Sequence, residues 1–255
     1  MNGLLSVHAV SKRFGGLNAL SNVSFNVNAG EIYGIIGPNG AGKTTLFNAL
    51  TGLYIPDSGN ILLADHKLHG RKPHQILKAG FARTFQNIRL FANMSALENV
   101  MVGHHARMKA GVLGAVLRTP AVRREEADTA AHALALLKRV GIHRHSHVLA
   151  KNLSYGDQRR LEVARALASN PLLLALDEPA AGMNPVEKAT LRDLLLSLRN
   201  EEGLTLMLIE HDVKLVMSTC DRVLVLDHGE KLTEGVPTEV RADPRVIAAY
   251  LGKAA

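Results

Sequence analysis

The stretch Glu31-Ile32-Tyr33-Gly34-Ile35-Ile36-Gly37-Pro38-Asn39-Gly40-Ala41-Gly42-Lys43-Thr44-Thr45 decides the fold. Its first six residues read as a buried strand, with Ile32, Ile35 and Ile36 as the apolar content. Gly37 to Thr44 then satisfies G-x-x-x-x-G-K-[ST], a loop whose glycines let backbone N–H groups close around phosphates at a helix N-terminus. Lys43 supplies positive charge for β- and γ-phosphates. Thr44 offers a hydroxyl to Mg²⁺, which prefers oxygen ligands and keeps several waters. Thr44 to Leu53 has helical character, so strand, loop and helix stand in the order that phosphate binding requires. An ordinary glycine turn is the bland alternative, and the preceding strand argues against it.

Outward from this stretch, short β-rich runs occupy Leu4 to Val10 and Val23 to Val27, and Asp57-Ser58-Gly59 marks a turn before the apolar run Ile61 to Ala64. Between Ala92 and Asn170 the chain turns alanine-, leucine- and arginine-rich. In Glu125 to Val140, Ala130, Leu134 and Leu137 fall on one helical face before Gly141 stops it. From Leu172 strands and helices alternate again: Leu172 to Leu176, a helix after Pro185, Leu204 to Ile209, a helix after His211, then Val223 to Leu226. The simplest architecture is an α/β parallel core, residues 1–91 and 171–255, interrupted by a helical subdomain at 92–170. There is no internal repeat and no long flexible linker, so one nucleotide-binding unit is expected in the 255 residues.

Composition narrows the class. The longest apolar runs fall far short of the roughly 20 residues a membrane-spanning helix needs, and the first residues show no basic segment followed by an apolar run, so no secretory signal is expected. The single cysteine, Cys220, excludes an intrachain disulfide and the cysteine motifs of structural zinc, and fits a reducing cytoplasm. A net charge of +7 favours an anionic partner without choosing among nucleotide, nucleic acid and membrane surface. With no tryptophan and 4% aromatic residues, a stacking platform for single-stranded nucleic acid is poorly supplied, and no nucleic-acid partner is expected.

Leu172 to Glu178 is an apolar run ending in two acids, which places carboxylates at the carboxyl edge of a parallel sheet, where ligands sit. Asp177 suits holding Mg²⁺ through its water shell. Glu178 suits general-base polarisation of an attacking water, a role typically worth about 10² to 10⁴ in rate. Taken alone, a strand ending in a helix-capping Asp is common; the phosphate loop makes the pair specific. Leu153-Ser154-Tyr155-Gly156-Asp157-Gln158 precedes a helix-like run ending at Asn170-Pro171, so Ser154 is an N-cap at a helix start that favours an anion.

LSYGDQ resembles the signature motif of ABC (ATP-binding cassette) ATPases, usually LSGGQ, and Ser154 stands 23 positions before Asp177, as in that family. The resemblance covers nearly the whole chain. It implies a P-loop NTPase core with an antiparallel β subdomain and an inserted α-helical subdomain, hydrolysing ATP with Mg²⁺. Gly37, Pro38, Asn39, Gly40, Ala41, Gly42, Lys43, Thr44 and Thr45 would cradle the phosphates. Ser154 and Gly156 would contact ATP held by a second ATPase subunit, identical or paralogous. Phe14 resembles the aromatic that stacks on adenine. Gln86, in Thr84-Phe85-Gln86, matches the Q-loop glutamine that reaches Mg²⁺ and the attacking water. His211, in Glu210-His211-Asp212, matches the switch histidine that hydrogen-bonds the γ-phosphate. The implied metal set is Thr44, Gln86 and Asp177; the implied catalytic set is Glu178, His211 and Gln86.

Departures from the family pattern are informative. Tyr155 replaces the first glycine of the signature pair, and Asp157 stands before Gln158. Asn184, in Ala180-Ala181-Gly182-Met183-Asn184-Pro185, takes the place of the usual D-loop aspartate; the resemblance implies that it would still hydrogen-bond across the dimer at the nucleotide site, but it carries no charge, so coupling between the two sites would differ from the common pattern. These features, the run Phe81 to Asn87 with Leu90-Phe91, and the ending Asp243 to Gly252 resemble the ATP-binding subunits of branched-chain amino-acid importers, of the type with a longer insertion, here at about His104–Pro120. Such systems add two integral-membrane permease subunits and a periplasmic or extracellular solute-binding protein, with the ATPase peripheral on the cytoplasmic face of the plasma membrane. Movement would pass from Gln86 and nearby Phe91 to Met94 into the permease. Other cargoes of the same family, including urea- or amide-like solutes and exported lipids, and a soluble ABC protein of DNA repair or translation are the competing readings. The spacing of His143, His145 and His147 fits neither one helical face nor a usual zinc motif, and Arg118, Arg123 and Arg124 read as a solvated helix face.

Overall fold

The computed structural model describes residues 3–107 and 119–251. Most of the insertion expected at about His104–Pro120, with Arg118, lies outside the described residues. The chain divides into two compact units, Met1–Arg83 with Leu172–Ala255, and Thr84–Pro171.

The first unit holds two sheets. One is antiparallel, built from β1 (Leu5–Phe14), β2 (Leu17–Val27), β4 (Ser58–Leu63) and β5 (His66–Lys67) in the order β2-β1-β4-β5. The other takes β3 (Ile32–Ile36), β6 (Phe81–Arg83), β7 (Leu173–Asp177), β8 (Thr205–Ile209), β9 (Arg222–Asp227) and β10 (Glu230–Gly235) in the order β10-β9-β3-β8-β7-β6. All of its pairings are parallel except β9 with β10. β3, β7 and β8 are buried along their whole length, which is why each reads as a continuous apolar run without alternation.

Helix α1 (Lys43–Leu50) follows the phosphate loop, and its Leu46, Phe47 and Leu50 join Val7, Phe25 and Ile61 of the antiparallel sheet and Ile35 and Met207 of the parallel one in a single hydrophobic core. Helices α2 (Pro73–Lys78), α6 (Pro185–Glu202), α7 (Val213–Thr219), α8 (Pro237–Ala242) and α9 (Pro244–Leu251) complete this unit. Proline at the first helical position starts α2, α6 and α8, where its fixed φ and missing N–H cost nothing.

The second unit is helical: α3 (Ala96–His104), α4 (Pro120–Arg139) and α5 (Tyr155–Leu167), with mutual contacts among all three. Ser95 and Glu98 form a capping box at the start of α3, and Thr119 caps α4. Among the described residues no helix is long and apolar enough to cross a membrane.

Candidate active site

Three neighbouring strands of the parallel sheet end at one edge in the residues picked out from the sequence. Ile35, Ile209 and Asp177 are register partners across β3, β8 and β7. One or two residues further along these strands the chain delivers Gly37, Glu178 and His211. The phosphate loop, both acids and the histidine therefore converge because the sheet aligns the ends of strands that are remote in sequence.

The loop is close-fitted. Gly37 has φ +155°, and a Cβ there would lie 2.2 Å from the Leu226 carbonyl oxygen; Gly42, φ +96°, would place one 2.6 Å from the Ala19 carbonyl oxygen. Neither position admits a side chain. The hairpin turn between β9 and β10 braces the loop from outside: the Gly229 N–H donates to the Ala41 carbonyl at 3.0 Å, and the Gly229 carbonyl accepts from Ser21 N–H at 2.8 Å. Lys43 is buried, and its ammonium donates to the carbonyls of Gly37 at 2.7 Å and Pro38 at 2.9 Å. Burial lowers its pKa, an effect the Glu178 carboxylate partly offsets.

Glu178 has φ +48°, a left-handed conformation uncommon for a side chain of this length, and its N–H donates to the Ile209 carbonyl at 2.8 Å. Its Oε2 lies 3.8 Å from Nδ1 of the exposed His211. Asp177 is buried, with the Arg83 guanidinium 3.6 Å from its Oδ2. Arg83 in turn donates to Asn48 and Thr51 and stacks over the Phe47 ring, which ties the acid to α1. The donors offered to a metal are oxygens, the Thr44 hydroxyl and the Asp177 carboxylate. Among the described residues no cluster of three or more His, Cys, Asp or Glu forms a closed metal cage. This open set of hard donors fits Mg²⁺ held together with phosphates and water, and does not fit a soft transition metal.

The remaining expected site residues are carried by other elements. Phe14 ends β1, is partly exposed, and meets the Tyr54 ring edge-on at 5.2 Å. Asn184 caps α6: its Oδ1 accepts from the N–H groups of Val186 and Glu187 while Glu187 returns a bond to the Asn184 N–H. That capping box gives the D-loop departure a local function in the fold. Gln86, Ser154 and Gly156 belong to the helical unit. There Ser154 caps α5 by accepting from Asp157 N–H at 3.2 Å, and Gln86 is exposed. Asp157, a second departure, is paired with Arg160 and lies 3.4 Å from His145.

Residues 20–181 match the family described as ABC transporter. The chain belongs to the ABC transporter family. Residues 230–255 also match a family described as branched-chain amino acid ATP-binding cassette transporter. Among ABC transporter relatives, the high-affinity branched-chain amino acid transport ATP-binding protein LivG of Escherichia coli K12 is 48% identical over 251 residues, covering 98% of each chain. The ADP conformation of an ATP-binding cassette of an ABC transporter superimposes with a TM-score of 0.86 at 30% identity, over 99% of this chain and 100% of that one. A dimeric ATP-binding cassette in a post-hydrolysis state, bound to ADP and Pi, gives 0.77 at 26% identity over 91% and 98%. The α/β core, the antiparallel sheet and the inserted helices are thus those of an ABC ATPase cassette.

Arg83 and Glu210 escaped the sequence reading. Arg83 ends β6 and Glu210 follows β8, places where burying a charge calls for an opposite charge or backbone hydrogen bonds, but the neighbouring strands decide which partner is met.

Proposed function

We propose that the chain is the ATP-hydrolysing subunit that energises a membrane importer of branched-chain or related amino acids. The observation that carries the hydrolytic half is the convergence of Lys43, Asp177, Glu178 and His211 at one edge of β3, β7 and β8. The cargo class is supported by the 48% identity to LivG and by the match of residues 230–255.

In this reading the backbone N–H groups of Gly37 to Thr45 take the phosphates, and Lys43 exchanges its two carbonyl partners for phosphate oxygens. Thr44 and Asp177, with Gln86, hold Mg²⁺, which when bound screens the negative charge of the phosphate groups. Glu178 accepts a proton from water, with His211 beside it steadying the γ-phosphate end. Phe14 stacks on the adenine. Ser154 and Gly156 of one chain, with Asn184, complete the site of a second ATPase subunit, so that closure of the pair precedes hydrolysis. Among residues near the Q-loop, exposed Phe91 and Met94 offer apolar contacts to a permease subunit on the cytoplasmic face of the membrane, and the permease receives solute from a binding protein outside. Asn99, fully buried, fixes this pair by accepting from Phe91 N–H and donating to the carbonyls of Phe91 and Met94.

Glu178→Gln tests the assignment. ATP binding should persist while the hydrolytic rate falls by about 10² to 10⁴. Hydrolysis by that variant at the parent rate sinks the general-base reading, and reconstituted transporter that takes up no branched-chain amino acid with the parent chain present sinks the cargo reading.

A further inference from the structure

Tyr155 occupies the place where the signature motif usually has glycine, and the structure gives its side chain specific partners. Its hydroxyl accepts from Arg159 Nη2 at 3.1 Å and Nε at 3.3 Å, one helical turn along α5. The Arg159 guanidinium also lies over the Tyr155 ring, 5.5 Å from its centroid. Arg159 is buried and also donates to backbone: Nη1 to the Phe85 carbonyl at 3.0 Å and Nη2 to the Gln86 carbonyl at 2.5 Å. Nη1 further pairs with Glu162 Oε2 at 3.2 Å, and Glu162 Oε1 accepts from the Phe85 N–H at 3.3 Å. Arg165 extends the grip to the Arg89 carbonyl. Residues 159, 162 and 165 form one stripe along α5 and hold the glutamine-bearing segment by its main chain.

A guanidinium that satisfies two carbonyls must keep one rotamer, and its fork geometry leaves the Nε edge to be fixed by another acceptor. The Tyr155 hydroxyl is that acceptor. Glycine at this position would leave the edge to water and the ring face empty. We propose that Tyr155 is a positioning residue: through Arg159 it locks the Phe85–Gln86 main chain to the signature turn, so that Ser154, Gly156 and Gln86 keep one mutual arrangement during turnover. This inference rests on the reading above in which Gln86 serves hydrolysis. Burial raises the Glu162 pKa, against the Phe85 N–H and the Arg159 and Arg165 charges, so the segment is anchored to a desolvated carboxyl.

The test uses the purified full chain, with Tyr155→Phe, Tyr155→Gly and Arg159→Lys. Tyr155→Phe keeps the ring over the guanidinium and deletes only the hydroxyl. Hydrogen exchange read by mass spectrometry should speed up roughly tenfold in peptides covering Phe85 to Arg89 for Tyr155→Phe, and further for Arg159→Lys, while the buried strands keep the parent rates. Steady-state ATP hydrolysis should show kcat falling about three- to tenfold with KM for ATP within about twofold, because the lost bond orders a group used in turnover and binds no nucleotide itself. Arg159→Lys added to Tyr155→Phe should cost little beyond Arg159→Lys alone. Unchanged exchange in Tyr155→Phe overturns the lock, including the case in which only Tyr155→Gly has an effect. Faster exchange with an unaltered kcat shows a lock that turnover does not use and overturns the proposal equally. A parent chain that hydrolyses no ATP refutes the functional reading instead, and the exchange comparison then decides the lock by itself.

Discussion

Glu210 is a buried carboxyl one residue before His211, and its Oε1 accepts from the Ala180 N–H at 2.8 Å. It therefore joins the loop carrying the histidine to the turn that follows Glu178. Burial raises its pKa, although backbone N–H groups of Ala180, Asp212 and His211 and the His211 charge work in the opposite direction. A glutamate whose pKa is higher folded than unfolded binds more protons in the folded state across that interval, so its contribution to stability falls as pH rises through it. Glu210→Gln keeps an acceptor for Ala180 and removes the titration. The variant's melting temperature should gain on the parent's as pH rises from the ordinary glutamate range through the raised pKa, and the difference between the two should be constant below the ordinary range. Thermal melts across that range check it; a gap that ignores pH contradicts the burial argument. At this scale the glycines and Lys43 were legible from the spacing of the phosphate-loop motif, and the positions of the two acids from the apolar run before them once that loop was in hand. Arg83 and Glu210 were not, since their value depends on which strand ends lie side by side, and that is a property of the sheet.

Packing between elements sets a second constraint. Gly34, in the middle of β3, faces α7: a Cβ there would lie 2.8 Å from Val216 Cγ1 and 3.0 Å from Cys220 Sγ. Helix α7 begins at Asp212, which caps it by accepting from Leu215 N–H, immediately after His211. Gly34→Ala should push the helix off the strand, cost about 1–3 kcal/mol, and lower ATP hydrolysis by shifting His211. Val216→Ala in the same chain should recover part of the loss, in both a thermal melt and an ATPase assay. The alternating strands and helices after Leu172 were readable from apolar runs and from Pro185. The antiparallel sheet was readable only in pieces: β1 runs from Leu5 to Phe14, beyond the expected Leu4 to Val10, because register shifts near Val10 and the positive φ of Ala9 break its two-residue alternation. Similarly, α4 starts at Pro120, before the expected Glu125, on a Thr119-Pro120 cap that carries no apolar periodicity. The segment after Arg83 clusters with the helices because Arg159, Glu162 and Arg165 hold its backbone, and main-chain contacts of that kind leave no pattern in the residues being held.

For the whole molecule, strand order was the property least visible beforehand, since apolar runs show that strands are buried and say nothing of their neighbours. The observed order places β3 between β8 and β9. Ile32 to Ile36 therefore has its two hydrogen-bonding neighbours in residues 205–227, near the other end of the chain. During synthesis at about 5–20 residues per second, the strand that carries the phosphate loop leaves the ribosome roughly 10–35 s before either neighbour exists. Chains arrested after α6 should bind no ATP analogue, and chains arrested beyond β9 should bind it; nucleotide capture on stalled ribosomes measures the difference. Capture by the shorter chains would mean that the loop forms without its sheet. The loop thus becomes competent only once the far strands that flank β3 have been made, so an interrupted chain exposes unpaired strand edges without ever drawing on the cell's ATP.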